Sequence, residues 1–436
     1  MNITFDEKSL KALYLAEKTP DNIFLTGKAG TGKSTLLKAF IANTNKNIAV
    51  LAPTGVAALN INGSTIHSFF KIPPTITEKD VKREARHSIG NPKFTELDAI
   101  VIDEISMVRA DLFDCMDKYM QTVCENKLPF GGKQTIMIGD LYQLPPVVTS
   151  NERMFFENEY SSPYFFDSKA VKSRNFQFRI VELEKVYRQS DQLFLSILEG
   201  IRTKRLTNEM LEILNRGVIE DEVREIQEGE MYLAGRNDRV NEINAKMLAK
   251  LEEDQHTFKA KVKGTMKGKE KSYPTDEFLS LKVGAQVMFM VNDPSGQWVN
   301  GTLGKITKIV KTSINVQIFG GDEVEVKPFT RRMAQYVYNY ENRALEAEEV
   351  GSFFQIPLRL AWACTIHKSQ GKTFDRVIID MKGGSFAHGQ TYVALSRCRT
   401  LEGLKLVSPL FHSHIILDDC VETFMDEKKM EMAIEI

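Results

Sequence analysis

The sequence has no long apolar run and little cysteine. No stretch of about 18 apolar residues appears in its 436 residues, so we expect no membrane-spanning helix. The opening residues, MNITFDEKSLKAL, show neither an apolar secretory core nor an Arg-rich transit pattern. The five cysteines are scattered without a C-x-x-C pair, which disfavours a zinc site and a disulfide framework. These absences predict a cytoplasmic protein.

The sequence also lacks an excess of charge of either sign. Lysine and arginine total 57 residues against 58 for aspartate and glutamate. A nucleic-acid partner would therefore have to be held by local basic patches. The hydrophobic share of 42% and the charged share of 26% are typical of a globular protein. A chain of 436 residues predicts two or three compact units.

A phosphate-binding loop is present near the N-terminus. The stretch FLTGKAGTGKSTLL fits G-x-x-x-x-G-K-[ST] through Gly27, Gly32, Lys33 and Ser34, between a strand-like and a helix-like segment. Glycines let backbone N–H groups approach phosphates, and the helix N-terminus adds the positive end of its dipole. The motif predicts a nucleoside triphosphate, with Lys33 at the β- and γ-phosphates and Ser34 on Mg²⁺.

Two further apolar segments end in polar residues. The buried-strand pattern at 99–102 is followed by Asp103 and Glu104, which suit a Mg²⁺ ligand and a base that orients water. The segment QTIMIGDLYQLPPV ends in Gly139, Asp140 and Gln143. A glutamine there suits a γ-phosphate or the attacking water, although this motif alone is also compatible with an ordinary proline-stiffened loop.

A segment between the first two motifs suggests contact with nucleic acid. Thr54 and Gly55 follow a strand-like run, and a Gly-Ser-Thr turn carries His67, Phe69 and Phe70. Hydroxyl and N–H groups at such turns can hold a phosphate, and aromatic rings can stack on bases. Core packing of the two phenylalanines is an equally good interpretation.

The second half of the chain repeats the α/β pattern and contains an insertion. Strand and helix patterns accompany VYRQ, with Arg188, and later TIHKSQG and YVALSRCRT. Residues 281–355 change to a period of two, which predicts a small β-barrel. A lysine run precedes it, and we interpret this run as a solvated hairpin or loop rather than a nucleic-acid site. Its members are Lys259, Lys261, Lys263, Lys267, Lys269 and Lys271.

The ordered set of motifs resembles the Pif-one (petite integration frequency) helicase family, close to the RecD-like group of superfamily-one helicases. The motifs are GKAGTGKST, APTGVAALNINGSTIHSFF, VIDEISM, GDLYQLPPV, YRQ, IHKSQGKTFD and YVALSRCRT. The resemblance implies an α/β fold with two RecA-like parallel-sheet domains. It also implies a wedge insertion at 63–74 in the first domain and an SH3-like barrel at 281–355 in the second. The expected domain ranges are 1–180, 181–280, 281–355 and 356–436.

The resemblance also implies a site. The expected catalytic residues are Glu104, Lys33, Gln143, Arg188 and Arg397, the last two from the second lobe. The expected ATP-binding residues are Gly27, Ala29, Gly30, Thr31, Gly32, Lys33, Ser34, Thr35, Gln143, Arg188, Gly371 and Arg397, with Ser34 and Asp103 on Mg²⁺. The expected DNA-binding residues are Thr54, Gly55, His67, Phe69, Thr365, His367 and Lys368. The glutamine near the N-terminus that reads adenine in many members has no counterpart in residues 3–22.

The resemblance implies a monomeric ATP-dependent DNA helicase that moves 5′ to 3′ on single-stranded DNA. Its expected substrates are single-strand/duplex junctions and, as in the family, G-quadruplex DNA. One alternative is a phosphate-loop ATPase that acts as a switch or loader on DNA or protein without translocating. Another is a non-catalytic nucleic-acid-binding module, which the intact Lys33, Asp103 and Glu104 disfavour.

Overall fold

The chain forms two compact units. The computed structural model describes residues 5–73, 78–187, 189, 191–219, 226–264, 273–293, 295–339, 341 and 344–434. The first unit comprises Met1–Tyr187, Ala334–Glu348 and Asp418–Ile436. The second unit comprises Arg188–Met333 and Glu349–Leu417.

A six-stranded parallel sheet forms the centre of the first unit. Its strands are β1 (Asn22–Gly27), β2 (Ile48–Ala52), β3 (Ser64–Thr65), β4 (Ala99–Ile102), β5 (Gln134–Ile138) and β6 (Phe178–Leu183). They lie in the order β3-β2-β4-β5-β1-β6, and each pairing is parallel. Every residue of β4 and β5 is buried, as expected for strands covered on both faces. The carboxyl ends of β1, β4 and β5 therefore meet at one edge.

Short helices surround this sheet. They are α1 (Glu7–Lys18), α2 (Lys33–Asn43), α3 (Gly55–Asn60), α4 (Ile66–Phe70), α5 (Glu78–Arg86), α6 (Pro92–Thr95), α7 (Ala110–Val123), α8 (Arg153–Glu159) and α9 (Lys169–Lys172). Helices α1 and α2 bury Leu15, Leu36 and Phe40 in one core with Ile23 and Leu25 of β1. This core fixes the end of β1, from which the phosphate loop departs. In the range predicted as a wedge, the structure has β3 and α4, and residue 74 lies outside the described residues.

A second parallel sheet forms part of the second unit. The strands that follow β6 are β7 (Glu230–Ala234), β8 (His256–Lys259), β9 (Lys261–Gly264), β10 (Phe278–Leu281), β11 (Gln286–Phe289), β12 (Leu303–Ile309), β13 (Ile314–Ile318), β14 (Glu323–Val326), β15 (Phe329–Asn339), β16 (Ala344–Gln355), β17 (Leu358–Leu360), β18 (Ala363–Thr365), β19 (Arg376–Asp380) and β20 (Leu404–Leu406). The parallel sheet has the order β18-β7-β19-β20. The helices of this unit are α10 (Gln192–Arg202), α11 (Asn208–Asn215), α12 (Asn237–Ala249) and α13 (Gln390–Leu395). Two parallel sheets with flanking helices confirm the predicted α/β class.

Antiparallel strands occupy the range of the predicted insertion. Five of them form a sheet in the order β14-β13-β12-β11-β17. Strand β8 pairs with β10, and β9 joins β16 and β15 in a three-stranded sheet. The structure differs from the predicted 281–355 unit because residues 334–348 belong to the first unit. Closure of these strands into a barrel stays a prediction, and Lys267, Lys269 and Lys271 lie outside the described residues.

The C-terminal helix also differs from the prediction. We expected residues 356–436 to belong to the second domain, but Asp418–Ile436 lie in the first unit. Helix α14 (Asp419–Ile434) stacks Phe424 on Phe166, with ring centroids 4.3 Å apart. The Tyr164 hydroxyl donates a 2.6 Å hydrogen bond to the carboxylate of Asp418. Both contacts join residues more than 250 positions apart, so no local sequence pattern predicts them. Among the described helices, none is both long enough and apolar enough to cross a bilayer.

Candidate active site

The phosphate loop connects β1 to α2 through glycines in left-handed backbone conformations. Gly30 and Gly32 have φ angles of 81° and 88°, which residues with a Cβ rarely adopt. A Cβ on Gly27 would lie 2.5 Å from the carbonyl oxygen of Leu183, so glycine is required there for packing as well. Helix α2 begins after Gly32 without a side-chain cap, so the N-terminal end of this helix is suited to an anion.

Side chains of the loop and of the first turn of α2 complete this motif. The Lys33 ammonium donates to the carbonyl oxygens of Gly27 at 2.5 Å and of Lys28 at 3.0 Å. The Thr31 hydroxyl donates to the Lys28 carbonyl at 2.9 Å. Both Ala29 and Thr31 are buried, whereas Ser34 and Thr35 are exposed. Lys33 is therefore held over its own loop, and the Ser34 hydroxyl is open to solvent.

Tyr187 lies against the phosphate loop and was not predicted. Its backbone N–H donates to the carbonyl of Gly30 at 2.9 Å. A Cβ built on Gly32 would be 3.8 Å from the Tyr187 ring, and the Tyr187 side chain is 55% exposed. The first unit thus presents an open aromatic ring beside the loop. The adjacent residue, Arg188, lies outside the described residues.

The two predicted acids follow β4 at the same sheet edge. Burial raises the pKa of Asp103 to about 6, while the Glu104 backbone N–H and the charge of Lys33 act in the opposite direction. Lys33 and Asp103 therefore share one electrostatic environment. Glu104 has a φ of 52° and precedes a 3₁₀ turn at Ile105–Met107. A non-glycine residue in this conformation carries backbone strain, which is often found where a side chain must be aimed precisely.

Gln143 is positioned by Asp140, an acid that was not among the predicted site residues. The Gln143 amide donates to the Asp140 carboxylate at 3.3 Å, and the Gln143 backbone N–H donates to the Asp140 carbonyl at 3.0 Å. Asp140 also accepts from the Tyr142 N–H at 3.2 Å. A Cβ on Gly139 would come within 2.9 Å of Ile105, so glycine lets this turn approach the one that follows Glu104.

Thr54 and Gly55 form the start of α3. The Thr54 hydroxyl accepts a hydrogen bond from the Ala57 N–H at 3.2 Å, and its carbonyl accepts from the Ala58 N–H at 3.0 Å. Thr54 therefore acts as a helix N-cap, and both residues are partly exposed. Their position at the carboxyl end of β2 places them at the same edge of the sheet as the phosphate loop.

The structure corrects one predicted DNA contact. Phe69 is 1% exposed and packs edge-to-face on Phe70 and Phe94, so its ring is not open to a base. The Lys93 ammonium lies 4.2 Å from the centre of the Phe69 ring and donates to the Phe69 carbonyl at 2.8 Å. The core-packing interpretation is therefore the right one for Phe69. His67 remains partly exposed, and burial together with the nearby Arg109 lowers its pKa.

In the second unit, three predicted DNA-binding residues lie at the end of β18. Thr365 is buried, and its hydroxyl accepts from the Lys368 N–H at 3.3 Å. The His367 and Lys368 side chains are exposed, although partial burial lowers the pKa of both groups. Gly371 follows with a φ of 79° and is also exposed. This turn thus offers a basic, solvent-accessible edge.

Arg397 is neither a surface ion pair nor an open side chain. It is 1% exposed within the second unit. Its guanidinium donates to the carbonyl oxygens of Val393 at 2.8 Å and Lys372 at 3.1 Å, and to the Ser396 hydroxyl at 2.7 Å. Arg397 is therefore not a surface salt-bridge residue. The structure shows a buried arginine that joins α13 to the turn that carries Gly371.

Gln189 was not predicted, although it lies in the YRQ motif. Its side chain is 4% exposed, and its amide donates to the carbonyls of Ser396 and Cys398 at 3.2 Å each. These two carbonyls flank Arg397 in the chain. The position of Gln189 next to the predicted Arg188 could have indicated a role. Its hydrogen-bond partners, however, are more than 200 residues away in the sequence.

The first unit therefore brings together the phosphate loop, Asp103, Glu104 and Gln143 at one edge of its sheet. Thr54 and Gly55 lie at this edge too, whereas Phe69 is removed to the core. In the second unit, Thr365, His367, Lys368, Gly371 and Arg397 occupy neighbouring segments. The chemistry available in the first unit is that of an anion cradle with a carboxylate pair and a positioned amide.

Comparison with known proteins gives matches along nearly the whole chain. The family model described as PIF1-like helicase matches residues 7–224. The ATP-dependent DNA helicase Pif1 of Bdellovibrio bacteriovorus is 34% identical over 396 residues, which is 89% of this chain and 85% of that protein. A crystal structure of Bacteroides sp Pif1 in complex with ADP-AlF4 has 36% identity and a TM-score of 0.87 over 99% of this chain and 98% of that one. Bacteroides Pif1 bound to ssDNA has 36% identity and a TM-score of 0.68, with coverage of 99% and 98%.

Proposed function

The chain belongs to the PIF1-like helicase family, and on that premise we propose that it is an ATP-driven DNA helicase. The observation that carries this proposal is the meeting of the phosphate loop with Asp103, Glu104 and Gln143 at one sheet edge. The similar proteins named above are an ATP-dependent DNA helicase and Pif1 structures with ADP-AlF4 and with ssDNA. Both the chemistry of the site and the family therefore support ATP hydrolysis coupled to DNA.

The phosphate loop fits the triphosphate of ATP. Its glycines allow close approach, and the start of α2 contributes the positive end of the helix dipole. We propose that the Lys33 ammonium exchanges the Gly27 and Lys28 carbonyls for β- and γ-phosphate oxygens. The remaining loop residues proposed to contact ATP are Ala29, Gly30, Thr31, Gly32, Ser34 and Thr35.

The oxygen donors present also fit Mg²⁺. This ion takes one or two protein ligands and completes its octahedron with phosphate oxygens and water. The exposed hydroxyl of Ser34 and the carboxylate of Asp103 would hold it. Bound there, Mg²⁺ would neutralise charge that develops on the phosphates. Because burial disfavours the ionised Asp103 carboxylate, an adjacent cation would offset that penalty.

Glu104 and Gln143 are proposed to orient the attacking water. The left-handed backbone of Glu104 fixes the direction in which its carboxylate leaves the chain. The hydrogen bond to Asp140 holds the Gln143 amide. We propose that this bond breaks when Gln143 turns to the γ-phosphate, so that the conformation of Gln143 depends on whether the γ-phosphate is present. A carboxylate that accepts a proton from water contributes general-base catalysis. Arg188 is proposed to stabilise the charge of the transition state. Arg397 is proposed to do the same after its buried guanidinium exchanges the Val393 and Lys372 carbonyls for phosphate oxygens.

Tyr187 is proposed to receive the adenine base. Its ring is exposed beside Gly32 and is held there by the bond from its backbone to Gly30. A purine base can stack on an aromatic ring of this kind. This arrangement would bind the base without the N-terminal glutamine that the sequence lacks.

Single-stranded DNA is the proposed track. Thr54, Gly55 and His67 would contact it from the first unit, and Thr365, His367 and Lys368 from the second. From the resemblance we propose 5′-to-3′ movement, action at single-strand/duplex junctions and on G-quadruplexes, and work as a monomer. A cytoplasmic location is proposed from the sequence alone. DNA that favours the hydrolysis-competent arrangement of these segments would stimulate the ATPase.

A tailed-duplex assay tests the proposal. We expect ATP-dependent unwinding of a duplex with a 5′ single-stranded tail and none of a matched duplex with a 3′ tail. Glu104→Gln protein serves as the control for ATP-independent strand loss. Equal unwinding from both tails would contradict the polarity. DNA-stimulated hydrolysis without any unwinding would instead favour a switch or loader ATPase.

A further inference from the structure

One exposed face of the second unit is not used by the site described above. The burial of the chain alternates over residues 258–263, with Lys259, Lys261 and Lys263 exposed and the residues between them turned inward. Phe258 and Val262 pack against two separate hydrophobic clusters, and Ala260 is buried. The inward side chains therefore fix the three lysines on one side of the backbone. Lysines two residues apart on a strand are about 7 Å apart, comparable with successive phosphates on a stretched single strand.

Two exposed phenylalanines lie on the same face. Phe278 of β10 is directly opposite Lys259, and Phe354 of β16 is directly opposite Lys261. The two side chains are 59% and 36% exposed, and the lysine ammonium groups lie 5.3 Å and 5.6 Å from the ring centres. Open aromatic surface flanked by cations is unusual on a solvated face, and it is the composition that proteins use to bind single-stranded nucleic acid.

Among the described residues, no ion pair balances the charge of this face. In the described part of the chain, no carboxylate forms an ion pair with Lys259, Lys261 or Lys263, whereas Lys305 pairs with Glu228 and Lys327 with Glu325. In the strand pairing, Lys263 is opposite the neutral Ser352. The face is therefore complementary to a polyanion with stackable rings.

The basic turn at the end of β18 is a separate feature from this face. Asp276 lies two residues before Phe278, and its charge acts on Lys368, whose pKa is lowered mainly by burial. Lys368 belongs to the proposed track, whereas the aromatic–lysine face lies on β8, β9, β10 and β16.

We infer that Lys259, Lys261, Lys263, Phe278 and Phe354 form a second binding face for single-stranded DNA, outside the ATP-coupled track. Bases stack on the two rings, and phosphates contact the lysines. This inference rests on the proposed function, because it supposes that the chain handles single-stranded DNA. A long strand would occupy the track and this face together, whereas a short strand would fill the track alone.

Matched variants test the inference. Phe278→Ala/Phe354→Ala removes the rings, and Lys259→Gln/Lys261→Gln removes two charges. Lys308→Gln/Lys311→Gln is the control, because these lysines are exposed and belong to the same unit. Binding of short and long fluorescent oligothymidylates is measured by anisotropy over a range of salt concentrations, with thermal unfolding recorded for each variant.

We expect the phenylalanine variant to lose about tenfold in affinity for the long strand, so that its preference for long over short strands falls. The Lys259/Lys261 variant should reduce the salt slope for the long strand by about 1.4, at about 0.7 for each phosphate contact. The control should keep both values. Loss of the same size in the control, or equal losses for short and long strands, would overturn the inference.

A photocrosslink separates this inference from the proposed function. A benzoyl-phenylalanine at position 278 should crosslink to the long oligothymidylate and not to an acidic polypeptide such as polyglutamate. Preferential crosslinking to polyglutamate would overturn the inference in favour of a protein partner. Wild-type protein that binds the long strand through this face but shows no DNA-stimulated hydrolysis would overturn the proposed function alone.

Discussion

The side-chain amide of Gln189 donates a 3.2 Å hydrogen bond to the carbonyl oxygen of Ser396, and the same amide reaches the carbonyl of Cys398. Arg397 lies between these two acceptors in the chain. The segment that carries the proposed Arg188 is therefore joined, within the second unit, to the segment that carries Arg397. We propose that Gln189 positions the segment that carries Arg397.

Replacement of Gln189 tests this relationship. Gln189→Ala leaves two buried carbonyls without their donor, which should cost about 1–3 kcal/mol of stability and let the Arg397 segment shift. We expect kcat of DNA-stimulated hydrolysis to fall while KM for ATP changes little. Gln189→Glu should be more harmful at neutral pH, because a carboxylate would repel both carbonyls. Lower thermal stability with unchanged kcat would assign Gln189 a purely structural role.

Glu104→Gln should keep MgATP binding and nearly abolish hydrolysis. The amide preserves the shape of the side chain but cannot accept a proton from water. Lys33→Ala should instead weaken ATP binding, because it removes a cation that contacts phosphates in the ground state. Equilibrium binding of a fluorescent ATP analogue and steady-state hydrolysis distinguish the two variants. Wild-type turnover by Glu104→Gln would exclude Glu104 as the base.

Tyr187→Ala should raise KM for ATP by about tenfold, because an exposed ring beside Gly32 is lost as a stacking surface. Tyr187→Phe keeps the ring and should behave like wild type. The comparison of ATP with inorganic triphosphate adds a control, since a ligand without a base should not distinguish the variants. Equal KM values for ATP in all three proteins would show that the base binds elsewhere.

The sequence was most informative where an apolar strand ends in polar residues. Asp103, Glu104 and Gln143 follow such strands, and parallel pairing brings them to one edge whatever the details of packing. The burial of Phe69 was not predictable, because His-Ser-Phe-Phe suits a stacking turn and a core equally well. Phe69 packs in the core together with Lys93, whose ammonium donates to the Phe69 carbonyl from 24 residues away.

Buried polar partners were similarly hidden. The ALSR motif marks Arg397 as functional, but nothing local shows that its guanidinium reaches the carbonyl of Lys372, 25 residues earlier. The C-terminal helix is another example, because its place in the first unit follows from the stacking of Phe424 on Phe166 across the whole chain. Long-range packing decided the burial of Phe69, the partners of Arg397 and the place of the C-terminal helix.

Phe69→Ala should destabilise the protein by about 3–5 kcal/mol, because it removes a fully buried ring from a cluster with Phe70 and Phe94. The unwinding rate per folded molecule should stay near that of wild type. His67→Ala, at a partly exposed position, should show the reverse, with little change in stability and weaker DNA binding. A loss of DNA affinity in folded Phe69→Ala protein would revive the stacking interpretation for this residue.

Asp117 should make the stability of the protein depend on pH. Its side chain is 8% exposed, and burial raises its pKa to about 6 from 3.8, with Asp114 acting in the same direction. Hydrogen bonds from the Phe130 N–H at 2.6 Å and from Gln121 at 2.8 Å act in the opposite direction but do not outweigh burial. Between these two pKa values the folded state retains a proton that the unfolded state has released. The stabilisation is therefore complete below pH 3.8 and is lost as the pH rises through about 6.

Asp117→Asn removes this titration while keeping an acceptor for the Phe130 N–H. A difference of about two pKa units corresponds to about 3 kcal/mol, so stability of the variant relative to wild type should rise by roughly that amount between pH 4 and pH 7. Asp103, whose pKa is also raised, is present in both proteins and cancels in the comparison. Urea unfolding followed at several pH values measures the difference. A constant difference across this range would mean that Asp117 titrates alike in the folded and unfolded states, and that burial does not control its protonation.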